Sequence, residues 1–136
     1  MGLRQSRPSS PVPHFAALEP GLSALERLAT RDLGVWAMLS TAARGDVDDA
    51  TGLLNERLEA TGTTVRVRRV AQGWVLVAAG TPETVATCLL SLAGLIAADG
   101  WRRVKTCERL SCATVFIDRT NGTSGRFCRS HRRVAD

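Results

Sequence analysis

The stretch Val65-Arg66-Val67-Arg68-Arg69-Val70-Ala71-Gln72-Gly73-Trp74-Val75-Leu76-Val77 is where the chain changes texture. Val65 and Val67 alternate with Arg66 and Arg68, the period-two signature of a strand with one solvated face. Ala71-Gln72-Gly73 supplies a short turn, and Trp74-Val75-Leu76-Val77 reads as the returning strand. The segment therefore predicts a β-hairpin. Its flanks are helical in pattern, so the expected fold class is α+β, with helices and a hairpin around one core.

Upstream, Leu22, Leu25, Leu28, Ala29 and Trp36 recur at helical spacing, and Ser23-x-x-Glu26 has the form of a capping box. Together they predict one helix from Leu22 to about Arg44. Asp46 is a plausible N-cap for a second helix, with Asp48 and Asp49 in its first turn, where the macrodipole favours anions. Val47, Ala50, Leu54 and Leu58 form its apolar stripe, and Gly62 is a natural stop. Downstream, Thr81 as cap, Pro82 at the first position and Glu83 just inside predict a helix over about 82–98. That helix is apolar nearly all round, which marks it as the buried central element, with Cys88 as a small core residue. Trp36, Leu54, Trp74, Leu76, Leu89 and Leu92 are the expected core. Residues 1–20, with four prolines and three serines, read as a flexible tail. The organisation expected is a tail over 1–20, an α+β domain over 21–100 and a small module over 101–136.

The module reads Cys107-x4-Cys112-x15-Cys128-x2-His131. Thiolates and an imidazole suit Zn2+, and four of them close a tetrahedral structural site. Val115-Phe116-Ile117 followed by Asn121-Gly122 reads as a strand entering a reversal that brings the two ligand pairs together. Some 35 residues bury too little apolar surface to fold alone, and a metal supplies the missing stability. The competing reading is of ordinary free cysteines, with His131 a surface residue in the run Arg129-Ser130-His131-Arg132-Arg133. Phe116 and Phe127 read as packing around the metal site. Asp118 is expected either to orient a ligand, to pair with Arg126, or to stand as an exposed turn carboxylate.

The formal charge of +5 is unevenly spread. Residues 101–136 hold nine Lys/Arg against three acids, a local charge of +6, and residues 1–100 carry −1. Such a field favours phosphate or an acidic protein surface. Arg102, Arg103, Lys105, Arg129, Arg132 and Arg133 are the candidate phosphate contacts. Aromatic residues are only 4% of the chain, with no tyrosine, which counts against a stacking platform for single strands. The first residues lack the apolar core of a signal peptide, and Val85–Ala98 falls short of the ~20 apolar residues of a membrane span. A cytoplasmic protein without membrane contact is the expectation, and it favours metal ligands over disulfides. The chain carries no G-x-S-x-G, P-loop or G-x-G-x-x-G, and no H-x-E paired with P-C-x-x-C, so catalysis is not expected.

Arg103-Val104-Lys105-Thr106-Cys107, Cys112, Phe116-Ile117-Asp118 and Arg126-Phe127-Cys128 resemble, in order and spacing, elements of the bacterial CGNR zinc-finger proteins. Those elements are R-x-x-x-C, C-x3-F-x-D and R-aromatic-C. The resemblance extends over about residues 22–131, because the hairpin and the apolar helix are similar to that family's N-terminal ABATE domain. It implies an α+β domain joined to a zinc module, in a stress-induced transcription regulator with a nucleic-acid role. The signature itself departs. Where the family has a fourth cysteine opening Cys-Gly-Asn-Arg, this chain has Arg133, followed by Val134-Ala135-Asp136. His131, at a shorter spacing, is the residue available to replace it.

Three functions fit these features. The first is a zinc-binding regulator that contacts DNA through its basic module and senses a protein partner or small-molecule effector through its N-terminal domain. The second is an accessory or protein-interaction factor in which zinc is purely structural. The third places a ligand-binding or enzymatic pocket in the N-terminal domain.

Overall fold

The computed structural model describes residues 15–71, 73–79 and 84–132. Five helices and two antiparallel hairpins make it α+β, as the sequence texture requires. Helix α1 (Phe15–Leu18) is a single turn, followed by α2 (Gly21–Ala29), α3 (Leu33–Ala43) and α4 (Val47–Thr61). The first hairpin pairs β1 (Val65–Val70) with β2 (Gly73–Ala78), Val67 opposite Leu76. Helix α5 (Val85–Asp99) leads into β3 (Val104–Thr106), which pairs with β4 (Val115–Ile117).

The single helix expected over 22–44 is two helices. Asp32 sits in extended backbone and accepts the Val35 amide at 3.1 Å, capping α3 and stopping α2. Apolar spacing runs on across this break, which is why periodicity missed it. The capping box is also replaced. Glu19 accepts the Ser23 amide at 3.0 Å, while Glu26 turns away to accept the Ile117 amide of β4 at 2.7 Å. Helix α4 starts after Asp46 as expected, although that side chain makes no cap bond, and it ends at Gly62 in left-handed backbone. The proposed Thr81-Pro82-Glu83 start lies outside the described residues. Helix α5 begins at Val85, and Thr84 caps it by accepting the Thr87 amide at 3.2 Å.

The core is built mainly from α2, α3 and α5: Leu22, Leu25, Val35, Met38, Leu39, Leu89, Leu92 and Leu95 are all buried. Cys88 is among them, as its helix demanded. Trp36 is only half-buried, and its Nε1 donates to the Ala113 carbonyl at 2.8 Å. Trp74 and Leu76 contradict the expected core, with 63% and 56% exposure. They share one face of the hairpin with Val65 and Val67, and that face meets solvent. Alternation identifies the two faces of a strand but not which one is covered. The tail boundary also shifts, because Phe15 and Leu18 of α1 pack against the core, and residues 1–14 lie outside the described residues.

The main core does not stop at residue 100. Trp101, Val104, Val115 and Ile117 belong to it, while Phe116 faces a second cluster with Cys107 and Cys128. Leu92, fully buried, is expected to lose about 2–5 kcal/mol on truncation to alanine, from lost transfer energy and a residual cavity. Trp74→Ala on the open hairpin face should cost far less. Urea unfolding of both variants checks the contrast, and equal losses would contradict this core.

Candidate metal centre

Each candidate donor is positioned by a short backbone device. Cys107 follows β3 directly, and its amide donates to the Thr114 carbonyl at 2.9 Å, closing the 107–114 loop. Within that loop the Cys112 amide donates to the Arg109 carbonyl at 3.0 Å, and Ser111 takes a left-handed φ of 71°. A non-glycine residue rarely adopts that conformation, and here it turns the chain just before Cys112. At the other end, the amides of His131 and Arg132 both donate to the Cys128 carbonyl, at 2.9 and 3.0 Å. This tight turn folds the imidazole back over its own cysteine.

The four donors converge. Cys107 Sγ and Cys128 Sγ lie 3.4 and 3.3 Å from His131 Nδ1, and Cys112 Sγ lies 3.9 Å from Cys128 Sγ. All four donor atoms fall within 4.8 Å of one another. A tetrahedral ion with metal–sulfur bonds of about 2.3 Å needs sulfur–sulfur edges near 3.8 Å and slightly shorter sulfur–nitrogen edges, so the donor set fits one. Phe116 and Phe127 pack against the sulfurs, as expected, and shield them from water. Cys107 and Cys128 are buried and Cys112 is half-buried.

The protons show the same convergence. The Thr114 hydroxyl, 3.3 Å from Cys112 Sγ, and the Thr114 backbone together hold the Cys112 thiol down to about 6, against the raising effect of burial. Cys128 is pushed up, first by burial and then by the neighbouring Cys107 sulfur. A cation among the sulfurs would favour their thiolate forms.

Beneath the ligands lies a polar support. Asp118 is only 2% exposed. Its carboxylate accepts from Lys105 Nζ at 2.7 Å, from the Gly125 amide at 2.8 Å, and from the Thr120 amide and hydroxyl at 2.9 and 2.7 Å. Gly125 is required there, because a Cβ would sit 2.8 Å from the carboxylate. None of the three roles expected for Asp118 is the one found. Arg126 pairs instead with Glu108 at 2.8 Å, and Asp118 folds the 118–125 loop that carries the chain back towards Cys128. Burial alone raises its pKa, but the bonds from Lys105, Thr120 and Gly125 outweigh that and hold it at about 2.

Two candidate phosphate contacts are corrected by the same network. Arg103 is 1% exposed; it donates to Asp99, to the Asp118 carbonyl at 2.9 Å and to the Thr120 carbonyl at 2.7 Å. Lys105 directs its ammonium at Asp118 and at the Thr123 and Gly125 carbonyls, at 2.6 and 2.9 Å, which uses all three of its protons. Sequence shows charge without burial, so the internal roles of both cations are invisible in it. Arg102 is exposed but leans on Asp99 at 3.1 Å and on the Thr123 hydroxyl at 2.8 Å. Arg129 and Arg132 are exposed, and Arg133 lies outside the described residues.

Sequence reasoning missed Arg119. Its guanidinium donates to Glu19 at 2.9 Å and to both oxygens of Glu26, clamping the end of β4 onto α2. Burial opposes its charge, and Glu26 and Glu19 more than restore it, so its pKa is raised. Its only signal was an arginine placed directly after Asp118.

Compared with known proteins, the chain matches no protein-family model and no curated protein sequence. Among the described residues, no helix is long and apolar enough to cross a membrane.

The Asp118 carboxyl sits below its ordinary value of 3.8, so its stabilising effect is complete above that pH and is lost as pH falls through about 2. Asp118→Asn is therefore expected to cost roughly 2 kcal/mol near neutrality and progressively less between pH 4 and pH 2. Urea unfolding of both proteins across that range checks it, and a pH-independent difference would contradict the carboxylate's role.

Proposed function

We propose that Cys107, Cys112, Cys128 and His131 hold one zinc ion as a structural centre, and that the protein is a regulator whose zinc-fixed basic module contacts nucleic-acid phosphates. The observation that carries this reading is the convergence of three sulfurs and one ring nitrogen within 4.8 Å, from the two ends of a 25-residue segment. Sulfur-rich tetrahedral sets favour zinc over the hard cations, which take oxygen ligands. Four protein donors leave no open position for substrate, so the role is structural. When bound, the ion supplies fixed positive charge that keeps the thiols ionised. The chain's own residues do the rest: Phe116 and Phe127 exclude water, and Asp118 with Lys105 holds the connecting loop.

The regulatory reading rests on charge. Arg129 and Arg132 flank His131 on the exposed side of the ligand turn. The resemblance to the CGNR zinc-finger proteins points the same way, through Arg103, Cys107, Cys112, Phe116, Asp118, Arg126, Phe127 and Cys128. In this reading His131 stands in for the fourth cysteine of that family. A second reading, an accessory factor that binds a protein, is favoured by the solvent-facing Val65, Val67, Trp74 and Leu76.

Protein purified under reducing conditions without chelator should contain one zinc per chain. Serine at Cys107, Cys112 or Cys128 should abolish it, and His131→Ala should weaken it less, because water can take the fourth position. Because β3 and β4 share the main core, metal loss should lower the unfolding temperature of the whole chain. Near-zero metal would sink the zinc assignment. Binding to duplex DNA should weaken steeply with salt through counterion release, and absence of binding at low salt would leave the accessory reading.

A further inference from the structure

A groove of about 430 Å³ runs where the metal module lies against α2. Helix α2 contributes Ser23 and Arg27, and the module contributes Arg119, Arg129 and Arg132. Arg119, Arg129 and Arg132 also line an adjoining hollow of about 610 Å³ that reaches Arg126. The acids along this path are already engaged. Glu26 takes the Ile117 amide and Arg119, Glu19 takes the Ser23 amide and Arg119, and Asp118 takes Lys105, Thr120 and the Gly125 amide.

Arg27, Arg129 and Arg132 are different. All three are exposed, and among the described residues none forms an ion pair with a carboxylate. They come from two distant parts of the chain and line one groove, where their positive charges add, while the Glu26 carboxylate in the same groove is taken up by Arg119. A multidentate oxyanion is attracted by that summed charge and matches the guanidinium donor geometry. Ser23 Oγ accepts from Arg119 at 3.4 Å, which leaves its own proton free to donate.

We propose that this groove is an oxyanion site for phosphate groups, with Arg27, Arg129 and Arg132 as its charged ligands and Ser23 as a neutral donor. Arg27 lies outside the basic tail, so charge counted along the sequence does not reveal it. His131 sits between Arg129 and Arg132, so the turn that offers the fourth metal donor also sets two of the three guanidiniums. Phosphate recognition does not depend on the nucleic-acid reading; that DNA is the source of the phosphate does rest on it.

The test uses the full zinc-loaded chain and two probes, inorganic pyrophosphate and a short DNA duplex, titrated at low salt. One variant carries Arg27→Gln, Arg129→Gln and Arg132→Gln. A control removes the same charge elsewhere, with Arg66→Gln, Arg68→Gln and Arg69→Gln on the hairpin. The groove variant should weaken pyrophosphate binding by at least about tenfold, since it removes charge-assisted contacts, and the control by less than about twofold. On DNA, the groove variant should reduce the salt slope by roughly three units. Equal losses in the two variants, or no pyrophosphate binding by the wild type, would overturn the site. Pyrophosphate bound in the groove without DNA binding leaves the site standing and removes the nucleic-acid reading. If the triple variant loses its helical circular dichroism, Arg27→Gln alone decides, with a loss of about threefold expected and no change contrary to the proposal.

Discussion

Two three-residue strands, β3 and β4, carry the constraint on which the molecule depends. Their side chains alternate, so Val104, Val115 and Ile117 go to the helical core, while Phe116 goes to the cysteines. Lys105, opposite Phe116, reaches down to Asp118. A register slip of one residue would exchange the two faces, putting Phe116 into the helices and a valine beside the sulfurs. Six residues are too few to hold that register through their ladder alone. The register is fixed from outside: Glu26 accepts the Ile117 amide, Arg119 clamps onto Glu19 and Glu26, and Trp36 holds Ala113. A metal ion joining Cys107 to Cys128 would close the same ladder from its far side.

This arrangement explains why the tail is not a free appendage. Its apolar face completes a core that begins at Phe15, and in its polar support Asp118 and Arg103 are as buried as the leucines around them, with Lys105 partly buried beside them. Buried charges of this kind are tolerated only when every donor and acceptor has a partner. Lys105 meets that condition with a carboxylate and two carbonyls, and Arg103 places its Nε and Nη1 protons on Asp99 and two carbonyls, with its guanidinium over the Phe15 ring. The basic charge of residues 101–136 thus divides into an internal part that builds the module and an external part that faces solvent beside α2.

The sequence made some of this legible and hid the rest for physical reasons. The candidate donors could be named because cysteine and histidine at short paired spacings suit metal binding, and the four donor atoms do converge. The hairpin, the buried α5 and the stop at Gly62 were legible from period and from turn chemistry. The break at Asp32 was not, because a cap acts through one hydrogen bond while the apolar pattern continues past it. The exposure of Trp74 and Leu76 was not, because alternation marks two faces without saying which has a neighbour. The roles of Arg103, Lys105, Asp118 and Arg119 depend on partners up to 100 residues away, and no local pattern encodes such distances.

X-ray absorption at the zinc edge of the purified chain tests the central claim most directly, because it reads ligand type and distance together. The account expects one zinc with three sulfur neighbours at about 2.3 Å and one imidazole nitrogen at about 2.0–2.1 Å, the nitrogen signal being lost in His131→Ala. A shell of oxygen or nitrogen ligands without sulfur, or a spectrum unchanged by that substitution, would contradict it.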